Sequence, residues 1–218
     1  MDILSFIKSR RSVRIFEEKI PDKEAVEKII EAASFAPSAC NEQGWHFIVI
    51  DDTQKKQQII DMGGSANIKN SPLGILVLYD SRTKNSEYAD NVQSAAAATQ
   101  NMLLMAHDLG LGACWTCHLP PKRQLKKIFH IPSHLEPVAY VLLGYKKTEP
   151  IDVPRKWKNE EIISYNIFAS KKPQEKNSKI KTFLLKLLLK IYFLIPVFVK
   201  KKWLNKFVDK NFVKKFEN

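Results

Sequence analysis

The chain of 218 residues is 44% hydrophobic and 27% charged, which fits one globular domain with a sizeable core and an appendage. Its formal net charge of +12 lies almost entirely in residues 171–218, which hold 14 lysines and 3 acidic residues, whereas residues 1–170 carry a net charge of +1. Because the body is nearly neutral, the overall basicity does not indicate nucleic-acid binding, and we expect no nucleic-acid partner.

The cysteine count and the N-terminus bear on the cellular compartment. Three cysteines, an odd number, argue against a disulfide framework and favour a reducing environment. Residues 1–4 are neither basic nor followed by a long apolar run, so we expect no signal peptide. Together these features predict a cytoplasmic protein.

The alternation of apolar and polar segments predicts a mixture of helices and strands. The helical patterns come in unequal blocks, which favours an α+β fold over a strict β-α-β repeat. The predicted elements, in chain order, are a short amphipathic segment at 3–7, a helix over 23–35 capped by Asp22, a strand over 45–51, a helix over 54–62, a loop over 63–67, a buried strand over 73–79, a long alanine-rich helix over 92–109 ended by Gly110, and strands over 112–118 and 138–145.

A basic cluster follows the first amphipathic segment: Arg10, Arg11 and Arg14 lie within five residues, with Ser12 among them. Arginine presents a rigid fork of donors that matches phosphate oxygens two at a time, and serine adds a hydroxyl donor. Most charge runs are solvated surface, so the interpretation of this cluster depends on the rest of the chain.

A small, polar loop precedes the first predicted strand and contains Pro37, Ser38, Asn41 and Gln43. Proline, glycine and short polar side chains are typical of loops, and the residues from Trp45 onward have strand composition. Such a loop can present hydroxyl and amide groups to the edge of a heterocycle, although by itself it is equally well explained as a plain turn.

Together, the arginine cluster and this loop resemble motifs of the FMN-dependent nitroreductase family. Two later segments, Gly110–Trp115 and Tyr140–Tyr145, fit the same family, and the resemblance covers about residues 1–170. Each motif alone is weak, but the combination is specific. The resemblance implies a nitroreductase-like α+β fold, a mixed and mostly antiparallel sheet flanked by helices, and an obligate homodimer.

The resemblance also implies how the cofactor FMN is held at its charged end and at its ring. Arg10, Ser12 and Arg155 would hold the phosphate. Arg14 would lie near the pyrimidine carbonyl and N1 of the flavin, where a cation stabilises negative charge on the reduced ring.

Further contacts implied by the resemblance come from a second subunit and from backbone groups. Ser38 and Asn41 would contact the flavin from the partner subunit, and backbone N–H groups near Cys117 and His118 would face N5. No metal site is expected, and no side chain is expected to act as the catalyst, because the flavin does the chemistry. The implied cofactor-binding set is Arg10, Arg11, Ser12, Arg14, Pro37, Ser38, Asn41, Asn67, Cys117, His118, Arg155 and Lys156.

Three positions depart from the family pattern. Gly44 and Trp157 stand where prolines are common, and His118 stands where glycine is common. Two interpretations of His118 are open: it narrows the pocket or adds a proton donor, or it is a solvent-facing loop residue. Other histidines, His107 among them, fit packed or surface positions.

Two motifs suggest other chemistry and are discounted. The segment Cys114–His118 matches the c-type haem attachment signal, a redox pair and half a zinc site. Haem attachment normally accompanies export, a zinc site needs about four ligands, and a thioredoxin-type pair opens a helix, whereas two prolines follow here. Gly110–Gly112 lacks the third glycine of a dinucleotide fingerprint, so a nicotinamide would stack on the flavin instead.

The implied activity is FMN-dependent oxidation of NADH or NADPH with ping-pong hydride transfer through flavin N5 to a small electron-poor acceptor, such as a nitroaromatic or a quinone. One alternative keeps the fold but changes the reaction, for instance to reductive dehalogenation or oxidation of a specialised metabolite. Another alternative is a membrane-bound, non-catalytic binding module with the same fold. The complete set of Arg10, Ser12, Arg14, Asn41 and Arg155 argues against the last.

The tail, residues 171–218, has a different character from the body. Its apolar stretch at 183–199 is interrupted by lysines and is shorter than the ~20 clean apolar residues that a membrane span needs. Residues 180–216 predict a basic amphipathic anchor lying on an anionic membrane surface, so the protein would be peripheral on the cytoplasmic face. The alternative is a C-terminal helix packed on the dimer with solvated lysines. Lysine recurs at every fourth position near the end, at Lys202, Lys206, Lys210 and Lys214.

Overall fold

The structure is a computed structural model that describes residues 2–82, 85, 87–116, 118–169, 183, 184, 187 and 195. The described residues form two compact units that divide after Pro150. The first unit holds the sheet and the helices that position the candidate site. Across the described ranges, the structure has no helix that is long and apolar enough to cross a bilayer.

The sheet of the first unit is antiparallel throughout its four described strands. These strands are β1 Trp45–Ile50, β2 Leu73–Asp80, β3 Gly112–Thr116 and β4 Leu135–Gly144. Their order in the sheet is β1-β2-β4-β3, so β2 and β4 are central and β1 and β3 are the edges. A single parallel bridge between Ser12 and Ala113 adds the N-terminal segment beside β3. The predicted α+β class with a mostly antiparallel sheet is confirmed.

The helices agree with most of the predicted segments within a few residues. The described helices are α1 Ile3–Ser9, α2 Lys23–Ser34, α3 Thr53–Asp61, α4 Asp90–Asp108, α5 Lys122–Phe129 and α6 Asn159–Ile162. Short 3-10 turns lie at Ala39–Asn41 and Ala66–Asn70. The predicted loop over 63–67 therefore gives way to a helical turn at Ala66, begun by the Ser65 hydroxyl, which accepts a hydrogen bond from the Asn67 N–H.

The sheet is the middle of three layers. Ile75, Val77 and Tyr79 of β2 face α2 and α4, where Ala95 and Ala98 are fully buried. Leu76 and Leu78 face the other side, where they pack with apolar side chains of α3 and α5. Because side chains alternate across a strand, burial on both faces explains why β2 is a continuous apolar run.

Three local expectations were wrong or incomplete. The helix α5 was not predicted, because its lysine-rich sequence buries Leu125 fully and little else. The strand β4 begins three residues before its predicted start at 138. Its register with β2 shifts at Val138, since Val77 pairs with Ala139 and Leu78 with Pro137, and this bulge accommodates Pro137 inside the ladder. Asp22 occupies the position before α2, but its side chain makes no capping hydrogen bond.

An extended N-terminal segment, residues 10–16, lies against the outer edge of β3. Its Val13 N–H donates to the Ala113 carbonyl at 3.0 Å, and Phe16 forms a bridge with Lys146. This close approach requires Gly112, because a Cβ there would lie 2.7 Å from Val13 Cγ1. The basic cluster is therefore fixed to the sheet by its own backbone.

We predict that Gly112→Ala loosens this attachment. The added methyl group overlaps Val13, so the free energy of unfolding should fall by about 1–3 kcal/mol, as is typical of overpacking. Amide hydrogen exchange of Val13 should accelerate more than that of β2. Gly110→Ala is the matched control: a Cβ there meets no atom within 4 Å, although its φ of +73° makes it strained. Equal protection of Val13 in both variants would contradict the prediction.

Candidate functional site

The basic cluster lies in the segment that begins where α1 ends. The side chains of Arg10, Arg11 and Arg14 are half-buried, and Ser12 is exposed. The guanidinium of Arg11 donates to the carbonyls of Lys8 and Arg10, and that of Arg14 donates to the Ser12 carbonyl at 3.4 Å. Three like charges on one short segment repel one another, and an anion bound beside them would relieve that repulsion.

A second group of predicted site residues lies beyond the end of β3. The His118 carbonyl accepts a hydrogen bond from the Ser65 N–H at 2.9 Å, and the buried Ser65 hydroxyl accepts from the Asn67 N–H at 3.3 Å. His118 and Asn67 are both half-buried, and Cys117 lies outside the described residues. The structure therefore joins Asn67 to His118 through Ser65, a residue that the sequence analysis missed because a lone serine carries no signal.

The predicted loop is held by hydrogen bonds within itself. The Ser38 hydroxyl accepts from the Gln43 N–H at 3.0 Å, and the Asn41 side-chain oxygen accepts from the Gln43 side-chain amide at 3.0 Å. Cys40, Asn41 and Gln43 all have φ near +50°, a left-handed conformation that is uncommon outside glycine. Pro37 is exposed beside them. The loop thus has a defined shape imposed by its own polar groups.

The structure explains why glycine stands at position 44, where the family pattern has another residue. A Cβ at this position would lie 3.0 Å from a ring carbon of Tyr79 and 3.1 Å from Asp80 Cβ. Tyr79 is buried, and its ring makes an edge contact with Trp45. The tyrosine ring therefore takes the space that a side chain at residue 44 would need.

Within one protomer, the loop and the basic cluster are far apart. The loop precedes β1, and the basic cluster lies beside β3, at the opposite edge of the sheet. The Ala39 N–H donates to Ser94 near the start of α4, whereas Ser9 contacts His107 near its end. At about 1.5 Å of rise per residue, these two points on the helix are roughly 20 Å apart.

Arg155 and Lys156 belong to the second compact unit. Both side chains are exposed, and the Lys156 ammonium lies 4.7 Å from the centre of the Trp157 ring, a cation–π distance. Trp157 thus serves as an aromatic platform for its neighbour at the position where proline is common in the family.

His107 makes a contact that the sequence did not indicate. Its Nε2 lies 2.7 Å from the Ser9 hydroxyl oxygen, and its ring centre lies 5.1 Å from that of Phe6. Burial lowers the pKa of His107, and the positive charges of Lys146, Arg10 and Arg11 act in the same direction. No local pattern could reveal this contact, because Ser9 and His107 are 98 positions apart.

An apolar groove lies between α1, α2 and α4. Its volume is about 260 Å³. Large apolar side chains on two of these helices are exposed, including Ile3 of α1 at 79% and Phe35, the residue after α2, at 80%. Exposed apolar area of this kind is typical of an interaction surface. The groove is lined by Phe6, Ala32, Asn101, Leu104, Met105 and Asp108.

Comparisons with known proteins agree with this architecture. The profile of the Nitroreductase family matches residues 7–70 and 55–145. A relative from Methanothermobacter thermautotrophicus, provisionally named NADH dehydrogenase/NAD(P)H nitroreductase, is 37% identical over 154 residues, which is 69% of this chain and 80% of the relative.

Solved structures give the same result. An FMN-dependent nitroreductase from Clostridium difficile is 28% identical with a TM-score of 0.67, covering 76% of this chain and all of the other. A provisionally named nitroreductase from Desulfovibrio desulfuricans, solved in complex with FMN, is 28% identical with a TM-score of 0.66, covering 78% and 99% of the two chains. Since the profile extends over more than half of its length, the chain belongs to the Nitroreductase family.

Proposed function

We propose that this protein is an FMN-dependent oxidoreductase that takes reducing equivalents from NADH or NADPH. The observation that carries the proposal is the cationic segment 10–14 fixed beside β3 in a chain of the Nitroreductase family. The FMN of the related Desulfovibrio structure has a phosphate, and fixed guanidiniums suit a phosphate. When bound, FMN supplies the hydride chemistry, accepting from the nicotinamide and delivering to a second substrate.

The residues present fit the charged end of this cofactor. Arg10 and Ser12 would hold the phosphate, and Arg11 would add positive charge. Arg11 is half-buried, and its guanidinium is hydrogen-bonded to backbone carbonyls. These bonds restrict the side chain to few conformations and keep its charge close to the segment. A preorganised cation loses little conformational entropy when an anion binds.

The remaining predicted residues would act on the ring. Arg14 would stabilise negative charge at the pyrimidine end, and Asn67 would hydrogen-bond the ring. The backbone beside Cys117 and His118 would orient the reacting face. The acceptor would be small and electron-poor, such as a nitroaromatic or a quinone, and the specialised reactions considered above use the same site with a different second substrate.

We infer that the site is completed by a second copy of the chain. Pro37, Ser38 and Asn41 lie at the sheet edge opposite the basic cluster, so they would reach a shared flavin from a partner subunit. The apolar groove and its exposed neighbours supply a surface that a second copy would bury. A homodimer therefore accounts for both the separated site residues and the exposed apolar face.

We also propose that the tail binds anionic membrane surfaces. Residues 171–218 carry a net charge of +11 among many apolar side chains. Phe183 and Leu184, which the structure describes, are 66% and 49% exposed. Apolar insertion combined with lysine attraction to anionic headgroups favours peripheral binding, at about 1 kcal/mol for each lysine near the surface.

The flavin proposal predicts that Arg10→Ala weakens FMN binding about tenfold or more, because a charge-assisted hydrogen bond contributes about 1.5–3 kcal/mol. Arg14→Ala should lower the reduction potential of bound flavin. Arg123→Ala, exposed on α5, is the matched control and should change neither. Binding is measured by flavin fluorescence and activity by NAD(P)H oxidation. A purified protein that is colourless, cannot be reconstituted with FMN and does not oxidise NAD(P)H would refute the proposal.

The two-subunit proposal predicts that Leu104→Glu, in the apolar groove, shifts the protein from dimer to monomer and releases FMN. A buried unpaired carboxylate is costly, so association should weaken strongly. Sedimentation velocity reports the mass, and flavin absorbance reports the cofactor. Gln54→Glu, exposed on α3, is the control. A monomeric unsubstituted protein that retains FMN would contradict the proposal.

The tail proposal predicts that the full chain floats with vesicles containing anionic lipid and that floating decreases as salt rises. Reversing Lys202, Lys206 and Lys210 to Glu should abolish flotation. The matched control reverses Lys122, Arg123 and Lys127 on α5 and should leave it unchanged. Equal flotation of the two triple variants would exclude a tail-specific anchor.

A further inference from the structure

We propose that His107 is a positioning residue that holds Arg10 and Arg11 in place for an anionic group and couples binding of that group to proton uptake. This inference rests on the proposed FMN site and adds a residue and a pH dependence to it. The contact that carries it joins the end of α1 to the end of α4.

The Ser9 hydroxyl can donate its one hydrogen to the Phe6 carbonyl at 2.9 Å and at the same time accept from His107 Nε2–H across 2.7 Å. In the charged imidazole both ring nitrogens are donors, so His107 then donates this bond. A histidine with Nε2 protonated donates this bond in both its neutral and its charged form, so protonation preserves the anchor. The Phe6 ring beside the imidazole adds a packing contact on the same helix.

Two anchors enclose the arginine pair. On one side, Ser9 is bonded to His107; on the other, Ser12 and Val13 are bound to Ala113 of β3. Only Arg10 and Arg11 lie between them. Since each residue spans at most about 3.6 Å, two residues between fixed ends have little freedom to move. Without the His107 contact, α1 would be free to shift and the arginines would lose one of their two fixed ends.

The charges around His107 set the sign of the coupling. The positive groups facing it are Lys146, Arg10 and Arg11, and Asp108 is the acidic one. Without an anion, the positive charges and burial oppose protonation, and the pKa lies below its usual value. A phosphate beside Arg10 and Arg11 adds negative charge and raises the pKa. By reciprocity, protonated His107 binds the phosphate more tightly, so its contribution to affinity grows as pH falls through the pKa of the bound state.

The test measures FMN affinity of the full chain by fluorescence from about pH 5.5 to 8.5, where histidine titrates. The variants are His107→Gln, which keeps an amide donor for Ser9 without titrating, and His107→Ala, which removes it. The phosphate of FMN itself titrates near pH 6, so the informative quantity is the affinity ratio of the unsubstituted chain to His107→Gln. This ratio should rise about fivefold toward acid pH, while the two proteins bind alike at the alkaline end. His107→Ala and Ser9→Ala should bind more weakly at every pH.

A second measurement uses the unsubstituted chain, so it does not require that any variant folds. The NMR titration of the His107 ring should give a higher pKa with FMN or inorganic phosphate present than without. A flat affinity ratio in a protein that binds FMN, or an unchanged His107 pKa on phosphate binding, would overturn this inference and leave the proposed function intact. An unsubstituted chain that binds no FMN at any pH would instead overturn the proposed function.

Discussion

The backbone bridge between Ser12 and Ala113 is the constraint on which the candidate site depends. It places a segment with three arginines beside the edge strand β3, and it exists because Gly112 has no side chain to hold Val13 away. From this attachment the chain runs on to a second bridge at Phe16 and Lys146, so the cluster is held along its length. A cationic segment fixed in this way is preorganised for an anion, because the conformational entropy of ordering it is already lost when the chain folds.

The sheet order determines how the other site residues can be used. Because β1 and β3 are opposite edges, the loop before β1 and the cluster beside β3 do not meet within one protomer. Under the two-subunit proposal, a second copy would resolve this separation and would also cover the apolar groove between α1, α2 and α4. Cofactor binding and subunit association would therefore be coupled, since the proposed site is complete only when the loop of one copy reaches the cluster of the other.

The sequence was informative where a local pattern had a single physical solution. The apolar run of residues 73–79 predicted a buried strand, and the alanine-rich pattern predicted a long helix; β2 and α4 confirm both. Local sequence patterns did not predict features that depend on residues far along the chain. The bulge at Val138, next to Pro137, is set by the pairing of β4 with β2 and cannot be predicted from β4 alone. Lys56, whose charge suggests an exposed position, is buried, and its ammonium donates to the Ser71 and Pro72 carbonyls. Motif residues were named from resemblance, whereas the residues that hold them, such as Ser65 and His107, have ordinary local sequences.

The position of the arginine segment has one more consequence. An edge strand presents unpaired backbone groups that can join with another polypeptide, and short edges or covering segments prevent this. Here the covering segment is the same one that carries the cationic cluster, and its charges discourage stacking of like chains. One stretch of backbone therefore both covers this sheet edge and carries the arginines proposed to bind an anion. A substitution that displaces the segment is expected to promote aggregation as well as to weaken the proposed binding.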